Sequence, residues 1–399
     1  MNGVHRSSRL GGDFPLGTRK ASFALRTKAQ KASFSHGGEI MTAYLIRRFL
    51  QMIMVVWLST FIIYGLLSFA PGGPLSGLRI QTGNQRVSDQ DFLRMEKLMG
   101  LDKPWHLQYI AWLTGDDWMA HVPGLEQYAS DRRGILRLDF GTSWKIAQGK
   151  PVLEVVGARL KDTLILMSLV TAISLMVAIP IGIYSAVKQY STLDYFVTSF
   201  SYFGIAMPVF WFGLLLILLF SLLFKKWGLP FMPSGDIVSL RTPPDGSVLA
   251  LLNATPGSAL DRGVHLIMPA IVLSLLYMAS WTRYMRTSML EVLRQDYVRT
   301  ARAKGLIERL VITRHAFRNA LIPIITIVVY QLPAIFSGAI VTETVFNYKA
   351  MGYLYILALN QDDWPVIMAL LFITAILVVI ATLVADLLYT VVDPRITYS

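Results

Sequence analysis

Six stretches of the chain contain no Asp, Glu, Lys or Arg: residues 49–70, 164–187, 196–224, 264–282, 320–342 and 366–385. Each matches the ~20 residues a helix needs to cross a ~30 Å hydrocarbon core. Outside them the charge density returns to the ~25% of soluble domains. The 16% charge of the whole chain is thus an average over two materials. Continuous apolarity, rather than segments of about ten residues with alternating polarity, selects helices over barrel strands. Helices buried inside a large soluble protein are the competing reading, and six uncharged runs of this length count against it. The expected fold is an all-α integral membrane architecture with six transmembrane helices.

Absent residues narrow the chemistry. The chain has no cysteine, which excludes disulfides, Cys-ligated zinc, iron–sulfur clusters and thiol nucleophiles. Of the histidines His5, His36, His106, His121, His265 and His315, only His265 falls inside an apolar run, so no membrane-buried pair exists to hold a haem. There is no HExxH pair and no G-x-x-x-x-G-K-[ST] loop; the nearest approach, Gly149-Lys150, lacks the first glycine and runs into Pro151. No catalytic residue, metal site or cofactor is expected. If ATP powers this protein, another chain binds it.

Charge also orients the chain. Residues 1–48 carry nine Lys or Arg against two acids, and residues 283–318 carry nine against three. By the positive-inside tendency both lie in the cytoplasm, and six crossings return the C-terminus there. The intervening external loops are balanced or acidic: twelve basic and ten acidic residues over 71–161, four and three over 225–263, one and three over 343–365. Orientation charge accounts for the basic balance, so a nucleic-acid partner is not expected.

Residues 1–40 are polar, basic and rich in Ser, Gly and Ala, and read as a disordered extension. They lack the apolar core of a cleavable signal, so the first crossing, within 41–70, is itself the insertion signal. Met41 is a candidate start, which would make residues 1–40 dispensable. The external loop 71–161 is long enough for a small helical cap. Ser88 suits an N-cap for a helix over 89–99 stopped by Gly100, and a second helix is expected over 105–113 before Thr114-Gly115. The loop 225–263, with five prolines, reads as irregular. In the third run Gly204 and Pro208 predict a kink. The core is expected over 162–399, with helices at about 164–187, 196–224, 264–282, 320–342 and 366–385 and a cytoplasmic loop at 287–318.

That loop is the informative one. Residues 290–306 read LEVLRQDYVRTARAKGL. The composition is helical to Lys304, Gly305 suits the left-handed position that ends a helix, and a second helix is expected over 307–319. The two would form a rigid elbow. Tyr297, Val298 and Ala301 share a face, and small Ala301 and Ala303 would let another surface come close. Two readings of the residues stand: a docking knob, and an amphipathic helix held by anionic lipid headgroups.

The run Arg299-Thr300-Ala301-Arg302-Ala303-Lys304-Gly305 resembles the EAA motif of permease subunits of bacterial ABC importers, in the version of the dipeptide, oligopeptide and nickel permease family. Further blocks agree in order: residues 43–48, 70–74 and 138–143, then His265-Leu266-Ile267-Met268-Pro269-Ala270, residues 314–323, Glu343-Thr344-Val345-Phe346, Asp363-Trp364-Pro365-Val366 and residues 386–396. The resemblance covers 41–396 and implies a type I importer fold. It also implies a second homologous permease subunit, two cytoplasmic ABC ATPases that bind the ATP, and an extracytoplasmic solute-binding protein. The site would be an ATPase-coupling helix formed by Asp296, Tyr297, Arg299, Thr300, Ala301, Ala303, Lys304 and Gly305.

Two departures matter. Arg299 stands where the general motif has glutamate, so no carboxylate contact is assigned there; Glu291 and Asp296 are off the motif. Residues 116–137 look like an insertion, open to contact with the binding protein or to a passive role, with the passive role favoured. Asp162 and Asp386 sit at predicted ends of crossings, where a structural role outweighs a transport role. His265 is read as anchoring its helix, and Tyr202, Met207 and Trp211 as packing. The implied function is a permease of the bacterial inner membrane translocating di- or oligopeptides, the substrate-binding residues being unknown; nickel, or a modified-peptide or saccharide cargo, is the alternative. A secondary transporter or channel would place acids or broken helices at mid-membrane, and a structural membrane subunit is the third class.

Overall fold

The computed structural model describes residues 46–69 and 89–392. The expectations for residues 1–40, Met41 and Ser88, the block at 70–74, and the parts 43–45 and 393–396 of the blocks at 43–48 and 386–396 lie outside them. The chain divides into two units, Met1–Val55 with Pro394–Ser399, and Val56–Asp393. The described part of the first unit is the opening of an apolar helix, with Ile46, Phe49, Leu50 and Met54 exposed. All that follows concerns the second unit.

The described residues form helices and no strand, apart from isolated bridges at Thr142–Pro151 and Phe231–Ser247. Among the described residues, six helices are long and apolar enough to cross a membrane. We number the helices α1 (Ile46–Phe69), α2 (Asp89–Met99), α3 (Trp105–Thr114), α4 (Val152–Val187), α5 (Thr192–Ala206), α6 (Val209–Lys226), α7 (Ala259–Leu293) and α8 (Asp296–Ala303). Next, α9 runs as one rod through Glu308–Leu310, a π segment at Val311–Ala316, and Phe317–Ser337. It is followed by α10 (Ile340–Val345), α11 (Met351–Asn360) and α12 (Trp364–Val392).

Helices α4 and α7 make the central pair. They lie side by side and parallel, because Leu166 and Met268 share one buried cluster and, farther along, Gly182 abuts Met285. A Cβ at Gly182 would stand 2.6 Å from the Met285 Cβ, so only glycine lets the two helices approach this closely. Packing of α9 along α12 adds a second layer. One buried cluster joins the start of α4 to α11 and α12 through Val152, Val156, Leu354 and Ile367. Another, at the far ends, joins Ala186, Met285, Met289, Ala316, Ala320 and Ile324.

The cap contains both expected helices. Gly100 (φ 72°) ends α2 and Gly115 (φ 93°) ends α3. Helix α3 lies against α1 and α12: the Tyr109 and Thr60 hydroxyls are 3.0 Å apart, and Trp112 meets Phe372 edge-on at 5.9 Å. The 116–137 segment leaves and rejoins the cap at one point, where Gly134 packs on the Gly115 backbone. It is fixed inside by Asp116, which accepts from Ser130 at 2.6 Å and pairs with the buried Lys103 at 3.2 Å.

Several expected boundaries change: α7 and α12 run beyond the uncharged 264–282 and 366–385, which puts Asp386 inside α12, and the helix expected over 307–319 is continuous with the fifth crossing. The third run is two helices rather than one kinked crossing, because Pro208 has no N–H to give and holds Met207 extended (φ −75°, ψ 125°). The crossing is α6, and α5 is a separate helix. The fifth run ends at Ser337, where Gly338 turns at φ 77° and α10 starts anew. Helix α4 begins at Val152, so Asp162 lies within it, 3.6 Å from Arg262.

Buried carboxylates tie down the connections on the cap side. Asp363 accepts from the Ser143 hydroxyl (2.6 Å) and the backbone N–H groups of Trp144, Lys145 and Ile146 (2.9 to 3.1 Å). Asp261 accepts from Ser239 and the Gly257 N–H. Glu343 accepts from the N–H groups of Ala339 and Tyr353, both at 2.9 Å, and burial pushes its carboxyl above the usual range. His265, buried in the same helix as Asp261, has its Nδ1 2.9 Å from the Asp261 carbonyl oxygen one turn earlier.

Candidate functional site

The elbow is built by three sequence signals acting in turn. Helix α7 ends at Leu293, and Gln295 adopts extended backbone (φ −70°, ψ 148°) before α8. At the other end Gly305 takes φ 78°. Its N–H donates to the Arg302 carbonyl at 2.9 Å, and the Leu306 N–H reaches back to the Ala301 carbonyl at 3.4 Å. That pair of reversed bonds is a Schellman motif, which satisfies carbonyls the helix would otherwise leave bare. Leu306 completes it by packing into the cluster that holds Ala301.

Val298 and Ala301 do not face outward. They are 0% and 4% exposed and pack on Val311, with Val292, Leu293 and Leu306 around them. The surface that comes close to Ala301 is therefore the chain's own π segment, a correction to the outward face expected for Val298 and Ala301. Periodicity marked the apolar stripe correctly, but it does not say which neighbour covers a stripe. The other residues singled out, Asp296, Tyr297, Arg299, Thr300, Ala303, Lys304 and Gly305, are all exposed, Tyr297 at the edge of the buried stripe.

Polar contacts that no local motif announced lock the elbow. Arg302 grips Glu308 with two bonds, Nε to Oε2 at 3.1 Å and Nη2 to Oε1 at 2.7 Å, closing the corner across Gly305. The Asn319 amide donates to the Tyr297 hydroxyl at 3.1 Å. Arg299 sits 3.8 Å from Asp296, both highly exposed, a pairing that contributes little. Beneath the elbow Met285 and Met289 are fully buried against Ala316 and Ala320. The exposed face is thus a firm knob carried on α7 and α9.

The sequence also gave no sign of the ion pair between Asp194 and Arg286. The guanidinium bonds both carboxylate oxygens, at 2.7 and 2.9 Å, and the Ser185 hydroxyl donates to the same group. Arg286 holds the Asp194 carboxyl well below the usual carboxylate range. The only available signal was that both charges sit at the edges of uncharged runs. Tyr202 and Trp211, expected to pack, turn outward at 58% and 47% exposure.

Comparison with known proteins agrees with this architecture. Residues 178–398 match the family described as binding-protein-dependent transport system inner membrane component. The chain is 38% identical over 358 residues to the oligopeptide transport system permease protein AppB of Bacillus subtilis, covering 90% of this chain and 100% of that protein. It is 35% identical over 351 residues to the dipeptide transport system permease protein DppB of Escherichia coli K12, covering 85% and 96%. It is 34% identical over 363 residues to the di/tripeptide transport system permease protein DppB of Pseudomonas aeruginosa, covering 90% and 100%. Six long apolar helices, a capped elbow and likeness along the full length of these permeases have one common account: the chain belongs to the family of binding-protein-dependent transport system inner membrane components.

Proposed function

We propose that this chain is the permease subunit through which an ABC importer carries di- or oligopeptides inward, and that the exposed face of α8 receives force from the ATPase. A permease of this family is a multi-pass inner-membrane protein, is not catalytic by itself, and works with a solute-binding protein and an ATPase. Here the partners are a second homologous permease and two ATPase subunits. The peptide assignment rests on one observation, the full-length likeness to the oligopeptide permease AppB.

The coupling assignment rests on the shape and chemistry of the elbow. Tyr297, Thr300, Ala303, Lys304 and Gly305 offer a small, mixed, exposed surface, and the same short helix is locked from behind by Val298 and Ala301. Excess Lys and Arg on this side supports a cytoplasmic elbow with both termini on its side and the cap outside. In the reconstituted importer, Ala303→Arg leaves the buried stripe intact and places a long charged side chain on the contact face. Substrate-stimulated ATP hydrolysis should fall to the basal rate while the permease still inserts. Wild-type stimulation in that variant would remove the coupling role from α8, and failure of the complex to import any di-, tri- or longer oligopeptide would remove the peptide assignment.

A further inference from the structure

We propose that Asp194 and Arg286 are positioning residues for energy coupling, strapping α5 to the elbow-bearing helix α7 so that the two move as one block. The inference rests on the coupling role proposed for α8. Asp194 is 3% exposed and gathers four donors from three neighbouring elements. They are the Nε and Nη2 of Arg286 on α7 (2.7 and 2.9 Å), the Ser185 hydroxyl on α4, and the Tyr190 N–H in the turn (3.0 Å). A desolvated charge pair is an expensive way to join two helices that apolar side chains could join equally well. What the fork adds is a fixed orientation.

The strap continues along one stripe of α7. Arg283 lies over the Tyr202 ring at 5.9 Å, and a Cβ at Gly204 would stand 3.1 Å from the Ala279 Cβ. Positions 279, 283 and 286 share one helical face, and they meet α5 in reverse order, so α5 is held antiparallel at both ends. Arg286 is about two turns before the end of α7 at Leu293. Force applied at α8 therefore reaches α5 through this fork, which lies nearest the elbow, and through the Arg283–Tyr202 and Ala279–Gly204 contacts beyond it.

Past α5 the chain breaks at Met207–Pro208, and α6 packs on the cap-side half of α7, where Leu216 shares a buried cluster with Met268 and Leu273, and on the loop beyond α10. Gly213 packs on Val345 and Phe346, while Asp236, in the loop after α6, bonds Asn347 at 2.8 Å and Lys349 at 2.7 Å. The break thus separates a helix clamped by an ion pair near the elbow end of α7 from one packed on the cap-side half of α7 and on the cap-side loop.

The test uses the complete importer in vesicles, with Arg286→Lys, which keeps the charge and loses the fork, and Asp194→Asn, which keeps the shape and loses the charge. The measurement is labelled alanine tripeptide imported per ATP hydrolysed, compared at equal amounts of assembled complex. A fall of about ten-fold in that ratio is expected from loss of the charge-assisted bonds, with basal hydrolysis retained. A merely structural strap would lower the amount of complex and leave the ratio untouched, and a wild-type ratio in Arg286→Lys overturns the proposal even if Asp194→Asn fails to assemble. Ala303→Arg in the same assay separates the two ideas. If it abolishes stimulation while the strap variants keep the wild-type ratio, only the strap is lost; if it keeps stimulation, the coupling role fails and the strap with it.

Discussion

Gly305 and Ala301 illustrate how differently two neighbouring small residues act. Gly305 is exposed, has open space where a Cβ would stand, and is needed only for its backbone at φ 78°. Gly305→Ala should therefore cost about 1–2 kcal/mol locally. Gly305→Pro, whose ring fixes φ near −65° and which removes the bond to Arg302, should cost about 3 kcal/mol or more at the elbow. Coupling should follow that order: partly retained in the alanine variant, lost in the proline variant, with membrane insertion normal in both by protease protection. Ala301 is small because Val311 lies against it, so an arginine there would dismantle the elbow rather than block its contact. Asp363 is a third case. Four donors converge on its carboxylate, and Asp363→Asn turns an acceptor into a donor facing them. Loss of about 1–3 kcal/mol is expected, read as a lower melting temperature of the purified permease.

At the scale of elements, several of the quoted sequence blocks prove to hold neighbouring elements together. Residues 138–143 end in Ser143, whose hydroxyl bonds Asp363 of the block that opens α12. Residues 314–323 supply Ala316 and Ala320, the floor beneath Met285 and Met289. Glu343 closes the turn between α10 and α11, which gives a pH prediction. Its carboxyl stands above the ordinary 4.5 when folded, so the folded state binds this proton more readily than the unfolded one. Stability from this group is fully present below pH 4.5 and falls as pH rises through the raised value. Glu343→Gln should flatten that slope in melting curves taken across the interval. Asp194 acts with the opposite sign: its depressed carboxyl contributes stability above the ordinary carboxylate range and loses it on strong acidification. Neither effect was legible in the sequence, because the donors to Glu343 are backbone groups and the partner of Asp194 lies 92 residues away.

For the whole molecule, the 116–137 segment is the clearest test of what is dispensable. It leaves and rejoins at the contact of Gly115 with Gly134, so replacing residues 117–131 by two glycines should keep the cap closed. Peptide uptake close to wild type is expected if the segment is a passive elaboration, and loss of uptake with normal insertion would make it a contact for the solute-binding protein. The sequence by itself determined the membrane class, the six crossings, both cap helices and the elbow with its glycine. These depend on local composition: absence of charge over a bilayer's thickness, capping residues, and a left-handed stop. Only the tertiary structure decided that the third run breaks into α5 and α6, that Ala301 faces inward while Ala303 faces out, and which carboxylates hold which loops. Those outcomes depend on what packs against each surface. An apolar stripe or a lone charge reads the same in the sequence whether its partner is lipid, another subunit or a residue far along the same chain.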